Sequence, residues 1–411
     1  MKGNVIVGQS GGPTAVINSS LAGVYRTAVD RGAKKVYGML YGIQGLLDEQ
    51  YVDLSKYIRS DLDVEILKRT PSAFLGTCRY KLPDIHENQE IYVKIFEILN
   101  KLNIECFIYI GGNDSMDTIK KLSDYAILTG QSQKFVGVPK TIDNDLALTD
   151  HTPGYGSAAK YIATSTKEVI RDGIGFSYKK QQVIVIDIMG RNAGWLTGAA
   201  ALSRGEDCDG PDLIYLPELT FDIEKFTAKV RKLLEKKDVV VVAVSEGIRI
   251  KDGRYVSELG SASDYVDAFG HKQLTGTASY LANVIHRDIG CKTRAVEFST
   301  LQRSAAHLAS RVDVNEAFMV GGAAVKAADE GDSGKMVVID RVSDDPYQCA
   351  TGIYDVHKIA NGEKMVPREW ITKDGTYVTE EFIDYVRPLI QGDSPSVMVD
   401  GIPRHLYMGK K

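Results

Sequence analysis

Cysteine is scarce in this chain of 411 residues: Cys78, Cys106, Cys208, Cys291 and Cys349, an odd five with no Cys-Xaa-Xaa-Cys pair. That pattern argues against a disulfide framework and against a structural zinc site. Excess charge is missing as well. The formal net charge is −4, so bulk charge recruits neither nucleic acid nor an anionic membrane surface. An anionic substrate would have to be met by a local cluster of cations. No apolar stretch approaches a membrane span, and the one in the opening MKGNVIVGQSGG is far shorter than a signal peptide needs. Repeats and low-complexity segments are also lacking. These absences predict a soluble, cytoplasmic globular protein, long enough for roughly two to three domains.

What the chain does have is an alternation of short apolar runs and helical patterns. Residues 106–110 (CFIYI) and 134–138 (KFVGV) have the length and composition of buried parallel strands. Between them, 115–129 places Met116, Ile119, Leu122 and Ile127 at helical spacing, which predicts a crossover helix. Gly111-Gly112-Asn113-Asp114-Ser115 follows the first run, and Pro139-Lys140-Thr141-Ile142-Asp143-Asn144-Asp145 follows the second. Both motifs therefore sit at the carboxyl ends of adjacent strands, where open α/β sheets bind ligands. Paired glycines let backbone N–H groups approach an anion, and a helix start at Ser115 adds partial positive charge. Asp143 and Asp145 stand at i and i+2, with Lys140 upstream. Carboxylates for Mg²⁺ or proton removal, a lysine for phosphate charge and a glycine cradle are recurring parts of phosphoryl transfer.

The same grammar recurs along the chain. A strand at 4–7 runs into Gly11-Gly12-Pro13, with Pro13 suited to the first turn of a helix over 14–30. Further strands are predicted at 35–39, 182–188, 213–216, 239–244, 293–298 and 335–342. Helices are predicted at 86–102, 158–171, 192–202, 221–237, 274–289, 314–330 and 379–390, with Gly321 and Gly322 allowing close packing. The break at Pro153-Gly154-Tyr155-Gly156-Ser157 marks the first crossing between domains. Two other strand ends carry Met189-Gly190-Arg191 and Ser245-Glu246-Gly247, and the loop 75–81 holds Arg79 and Lys81 after a glycine turn.

GGNDS and PKTIDND resemble the signature loops of the 6-phosphofructokinases, and the similarity covers most of the chain, about residues 3–345. The resemblance implies an α/β fold of two Rossmann-like three-layer domains with parallel-rich sheets and the active site in the cleft between them. It implies a phosphoryl-donor domain of residues 1–154 and 302–350, and a sugar-phosphate domain of 155–301 with the extension 351–411. Gly11, Gly12, Gly112, Asp114 and Ser115 would line the donor site, and Arg79 would contact the transferred phosphoryl group, with Lys81 a weaker candidate. Asp143 would be the base, Thr141 and Asp145 would hold the hydroxyl and the metal side, and Lys140 would stabilise the leaving group. Met189, Gly190 and Arg191 would bind the sugar phosphate and Glu246 its hydroxyls. Arg303 would take the 6-phosphate, joined by Arg294 from a neighbouring subunit in a homodimer or homotetramer. The implied cofactor is Mg²⁺ on Asn113, Asp114 and Asp145.

Two positions speak to the donor. ATP-dependent members of the family usually have glycine where this chain has Asp114 and Lys140. An aspartate there fills the space of a nucleotide α-phosphate and repels its charge, and a lysine supplies a cation where a leaving phosphate forms. Both substitutions resemble the pyrophosphate-dependent branch, which implies transfer from pyrophosphate to fructose 6-phosphate. Three departures qualify the match. Asn113 stands where an aspartate is commoner and offers a metal only a neutral oxygen. Thr300 replaces a histidine or tyrosine, leaving sedoheptulose 7-phosphate open as acceptor. Gln182 replaces a cross-subunit arginine of the bacterial ATP enzymes. An ATP-dependent kinase and a silent binding subunit are the other readings; the intact TIDND and Met-Gly-Arg count against the second. No chemistry is read in the last 65 or so residues, and His405 and Tyr407 read as a plain surface end.

Overall fold

The computed structural model describes residues 1–260, 276–358 and 362–409. The continuous apolar runs become strands buried on both faces, as parallel sheets covered by helices require. In chain order the strands are β1 (Asn4–Gln9), β2 (Val36–Met39), β3 (Tyr51–Asp53), β4 (Ile104–Gly111) and β5 (Lys134–Pro139). There follow β6 (Gln182–Ile188), β7 (Leu213–Tyr215), β8 (Val239–Ser245) and β9 (Lys292–Glu297), then β10 (Lys335–Asp344) and β11 (Tyr347–Asp355). The first five and last two form a seven-stranded sheet of order β11-β10-β5-β4-β1-β2-β3; the middle four form a second sheet, β7-β8-β6-β9. Pairing is parallel throughout the second sheet and across the five central strands of the first. The edge strands β3 and β11 of the first sheet run antiparallel, and Met398–Val399 and Ile402–Pro403 form a separate antiparallel pair.

Those two edge strands are absent from the sequence reading, for a common reason. β3 is three residues long, and β11 mixes half-buried and exposed positions along its length, so neither presents a continuous apolar run. Helices Gly42–Leu47 and Asp61–Lys68 are likewise additions. Helix starts move by a few residues: the helices expected at 86, 158, 221 and 314 open at Gln89, Tyr155, Ile223 and Arg311, and three further starts bear on the site. Helix Ile17–Asp30 begins beyond Pro13, which leaves 11–16 as an open loop rather than a first turn. Helix Asn113–Thr129 begins two residues before Ser115, so Asn113 and Asp114 belong to its first turn. The helix expected at 192–202 is a single turn, Trp195–Gly198, continued by a 3₁₀ segment, Ala199–Ser203. Of the helix expected at 274–289, Thr277–Ile289 is observed, while 274 and 275 lie outside the described residues.

Glycine governs one helix crossing. A Cβ on Gly321, in helix Arg311–Glu330, would stand 2.1 Å from the Ser20 carbonyl oxygen, and one on Gly23 2.0 Å from that of Phe318. Neither neighbour is a side chain that can swing away. Gly321→Ala is therefore expected to destabilise the fold by ~1–3 kcal/mol through overpacking. Denaturant titration would show this as a lower midpoint at an unchanged slope.

The C-terminal residues wrap the second sheet. Val366, Ile371, Val378, Phe382, Val386 and Leu389 join its core, and Trp195 stacks on Phe382 at 5.9 Å and packs at a tilt against Tyr385 at 5.3 Å between centroids. The chain then crosses to the other sheet, where the Leu406 N–H donates to Thr70 Oγ1 at 3.0 Å. His405 and Tyr407 are exposed, in keeping with a surface end.

Candidate active site

The loops after β4 and β5 are tied together: the Lys140 N–H donates to the Gly111 carbonyl at 3.0 Å. Gly111 can carry no side chain, because a Cβ there would meet Ser115 Oγ at 1.9 Å. Gly112 then caps helix Asn113–Thr129 in extended geometry, with no side chain capping its first turn. The loop after β1 comes alongside. Ser10 N–H bonds to Ile110 O at 2.9 Å, and Gly11, at φ +73°, adopts the left-handed backbone that glycine favours.

A network of buried amides places the Arg79 loop over this cradle. Gln9 Nε2 donates to Asn18 Oδ1 at 2.8 Å, and Gln9 Oε1 accepts from Leu75 N–H at 2.9 Å. Asn18 in turn donates to the carbonyls of Thr70 and Ser72 and accepts from Phe74 N–H. Sequence reasoning missed both residues. A glutamine ending a buried strand and an asparagine inside the next helix are the signals that could have found them, since buried amides need partners.

At the centre lies Lys140, 3% exposed, whose ammonium donates to the Gly12 carbonyl at 2.7 Å. A Cβ on Gly11 would come within 3.2 Å of Lys140 Nζ, and one on Gly12 within 3.3 Å of Arg303 Nη1, so the glycines make room for two cations. Burial pushes the Lys140 ammonium down to about 8; Asp143 and Asp145 oppose the shift, while Arg303 and Arg79 add to it. Burial likewise holds the Asp143 carboxyl above the usual carboxylate range, against the pull of Lys140, the Thr141 hydroxyl, Arg303 and Arg191. Thr141 Oγ1 accepts from Asp143 N–H at 3.1 Å and stands 3.4 Å from Asp143 Oδ2. Burial, then the neighbouring Asp143 and Glu363, push Asp145 up to about 7.

The ends of β6 and β8 supply the other wall. Gly190, at φ +129°, has the Ala193 carbonyl where a Cβ would point, and Ser245 Oγ donates to its carbonyl at 2.6 Å. Gly247 is pressed against the Arg191 backbone, where a Cβ would be 1.9 Å from its carbonyl oxygen. These contacts set Arg191 beside Glu246, whose carboxyl burial pushes up to about 8, helped by Asp187 and Asp143 and opposed by Arg191. Met189 N–H donates to Gln302 Oε1 at 3.2 Å, which brings the turn Leu301–Ser304, and with it Arg303, to the same strand end. Gln302 was also missed.

Most of the expected residues thus converge: Gly11, Gly12, Gly112, Arg79, Lys140, Thr141, Asp143, Asp145, Arg191, Glu246 and Arg303. Asp114 is exposed in the first turn of its helix, with buried Ser115 behind it. Arg294 lies apart from the cluster within one chain. It sits mid-strand opposite Ile184, donates to Asp172 Oδ2 at 2.9 Å and stacks over Phe176 at 5.2 Å. Gln182 turns inward to the Gly173 carbonyl. Thr300 is exposed.

Asn113 Oδ1 is a buried oxygen with no hydrogen-bond partner among the described residues, and Asp114 and Asp145 add two carboxylates. No group of three or more His, Cys, Asp or Glu side chains able to hold a metal occurs among the described residues. Magnesium is commonly bound through one or two carboxylates plus substrate phosphates and water, so this all-oxygen set fits it.

The family model described as Phosphofructokinase matches residues 4–328. The chain belongs to the phosphofructokinase family. Among curated members, the pyrophosphate–fructose 6-phosphate 1-phosphotransferase of Xanthomonas campestris pv. campestris is 42% identical over 99% of this chain and 96% of its own length. The protein of the same name from Halomonas elongata is 40% identical, with the same two coverages. Among solved phosphofructokinase structures, the pyrophosphate-dependent enzyme of Nitrosospira multiformis superposes with a TM-score of 0.88 at 37% identity, covering 98% of this chain and 95% of that one. Among the described residues of this family member, no helix is long and apolar enough to cross a membrane.

Proposed function

We propose that the chain transfers a phosphoryl group from inorganic pyrophosphate to the 1-hydroxyl of fructose 6-phosphate, giving fructose 1,6-bisphosphate and phosphate. The observation that carries this reading is the buried Lys140 ammonium, fixed on the Gly12 carbonyl and flanked by Asp143 and Asp145. A fixed cation in a water-poor site stabilises charge on a departing phosphate far better than one in solvent. Full-length relatives named for this reaction support it.

In this mechanism Asp143 takes the proton of the 1-hydroxyl as that oxygen bonds to phosphorus and the bridging P–O bond breaks. Its raised pKa brings the base closer to its task than an ordinary aspartate would be. Lys140 and Arg79 stabilise the leaving phosphate, and Thr141 orients Asp143. Arg191, Arg303 and the backbone of Met189 and Gly190 hold the sugar phosphate, and Arg294 of a second copy completes the phosphate clamp in a homodimer or homotetramer. With its pKa at about 8, Glu246 is largely protonated at neutral pH and can donate a hydrogen bond to a sugar hydroxyl as well as accept one. Asn113, Asp114 and Asp145 would hold Mg²⁺, which when bound neutralises charge on the phosphoryl oxygens.

Phosphorus NMR of the protein with fructose 6-phosphate, pyrophosphate and Mg²⁺ tests the reading. Pyrophosphate should disappear as a sugar 1-phosphate and free phosphate grow in equal amounts, and the reverse mixture should regenerate pyrophosphate. Hydrolysis of pyrophosphate with the sugar untouched would contradict it.

The site also fixes a pH profile. Asp143 must be ionised and Lys140 protonated, so kcat/KM for pyrophosphate should rise with pH as the Asp143 carboxyl, raised by burial, loses its proton. It should fall again near 8 as Lys140 loses its proton. Lys140→Met should abolish the alkaline limb and move the acid limb to higher pH, since the Lys140 charge holds the neighbouring carboxyls down.

A further inference from the structure

The C-terminal stretch, to which the sequence assigns no chemistry, runs directly along the Asp143–Asp145 loop. Glu363 pairs with Leu146 in an antiparallel bridge, and Lys364 N–H donates to the Asp145 carbonyl at 2.8 Å. The same few residues grip the opposite wall. Glu363 Oε1 accepts from Asn192 Nδ2 at 2.9 Å, and Trp195 Nε1 donates to the Lys364 carbonyl at 2.8 Å. One carboxylate oxygen of Glu218 accepts from both Gly194 N–H and Val366 N–H, at 2.8 and 3.0 Å. A strap formed by residues 363–366 therefore spans the loops after β5 and β6, which carry Asp143 and Arg191.

Lys364 is the strap's anchor. Its three ammonium hydrogens have three neutral acceptors: the Asp150 carbonyl, the Thr149 carbonyl at 3.2 Å and Asn144 Oδ1 at 3.4 Å. The ammonium also lies 5.1 Å from the Trp195 ring centroid and 5.9 Å from that of Tyr385. Its target is a fixed point. Asn144, between the two carboxylates, is fully buried at φ +54°, a left-handed state that asparagine tolerates better than most residues and that its contacts here hold in place. Those contacts are Lys364, the Thr152 N–H at 3.1 Å and the Tyr385 hydroxyl, which accepts from Asn144 Nδ2 at 2.9 Å and donates to the Asp150 carbonyl at 2.6 Å.

We infer that Lys364, with Tyr385 behind it, is a positioning residue for phosphoryl transfer, holding Asn144 left-handed so that Asp143 faces the acceptor hydroxyl. The inference rests on the reaction proposed above. It is a claim about turnover rather than stability, because a displacement of about 1 Å at a reacting group costs on the order of 10²-fold in rate.

The test is the kinetics of Lys364→Met and Tyr385→Phe beside wild type, with melting temperatures and amide hydrogen exchange. Lys364→Met should lose ~10–100-fold in kcat, with KM for both substrates within about three-fold of wild type. Tyr385→Phe, which removes one oxygen, should lose less in the same pattern. In both, the amides of residues 144–152 should exchange faster while the β4 and β6 amides keep their protection. A folded variant with wild-type kcat, or one whose kcat falls only in step with its melting temperature, would overturn the inference and leave the strap a stabilising element. If Lys364→Met does not fold, Tyr385→Phe decides. A wild-type protein inactive with pyrophosphate would instead overturn the proposed function. Unchanged exchange at 144–152 would then overturn the strap's hold on the loop as well, and faster exchange would sustain it.

Discussion

Asp143→Ser should lower kcat by ~10²–10⁴ while fructose 6-phosphate binds with nearly unchanged affinity. The split follows from where the carboxylate stands. Asp143 is held by its own loop, through Thr141 Oγ1, and lies between Lys140 on the donor side and Arg191 and Glu246 on the sugar side. Removing it takes away the proton acceptor but leaves the groups proposed to grip the sugar phosphate. It also relieves repulsion at two neighbours, since its charge raises the pKa of both Asp145 and Glu246. The variant should therefore bind the sugar at least as well as wild type by calorimetry, and turn over far more slowly. Wild-type turnover would remove Asp143 from the role of base.

The second large effect belongs to the donor. Lys140→Gly should cost ~10²–10³ in kcat with pyrophosphate, the scale of losing one fixed donor to developing negative charge. Its ammonium donates to the Gly12 carbonyl, so the loss opens space beside Gly11 without stranding a side-chain partner among the described residues. Combining it with Asp114→Gly removes a carboxylate from the exposed first turn of helix Asn113–Thr129, where a nucleotide's α-phosphate would otherwise meet like charge. The double variant should lose pyrophosphate activity and gain measurable activity with ATP, read from initial rates with each donor. A double variant that keeps its preference for pyrophosphate would show that selection lies elsewhere.

Much of this site was legible because its parts are local. Glycine pairs at strand ends, two carboxylates at i and i+2 and Met-Gly-Arg each sit within one loop, and parallel-sheet topology delivers such loops to one edge. What escaped was long-range. Gln9 and Asn18 act through backbone atoms some 50 or more residues away, and Gln302 through Met189 across 113 residues. Lys364 and Tyr385 meet the Asp143–Asp145 loop only because the C-terminal residues cover the Trp195 core, a contact no short motif announces. The half-exposed strand β11 and the late start of helix Ile17–Asp30 escaped for the opposite reason: their local patterns are weak, and tertiary packing decides them.

The donor question is settled most directly by initial rates with fructose 6-phosphate and Mg²⁺, pyrophosphate and ATP compared side by side. A preference for pyrophosphate of ~100-fold or more, about 2.7 kcal/mol of discrimination, is the expected result. Equal rates, or a preference for ATP, would contradict the roles given to Asp114 and Lys140 while leaving the sugar-phosphate role proposed for Arg191, Glu246 and Arg303 untouched.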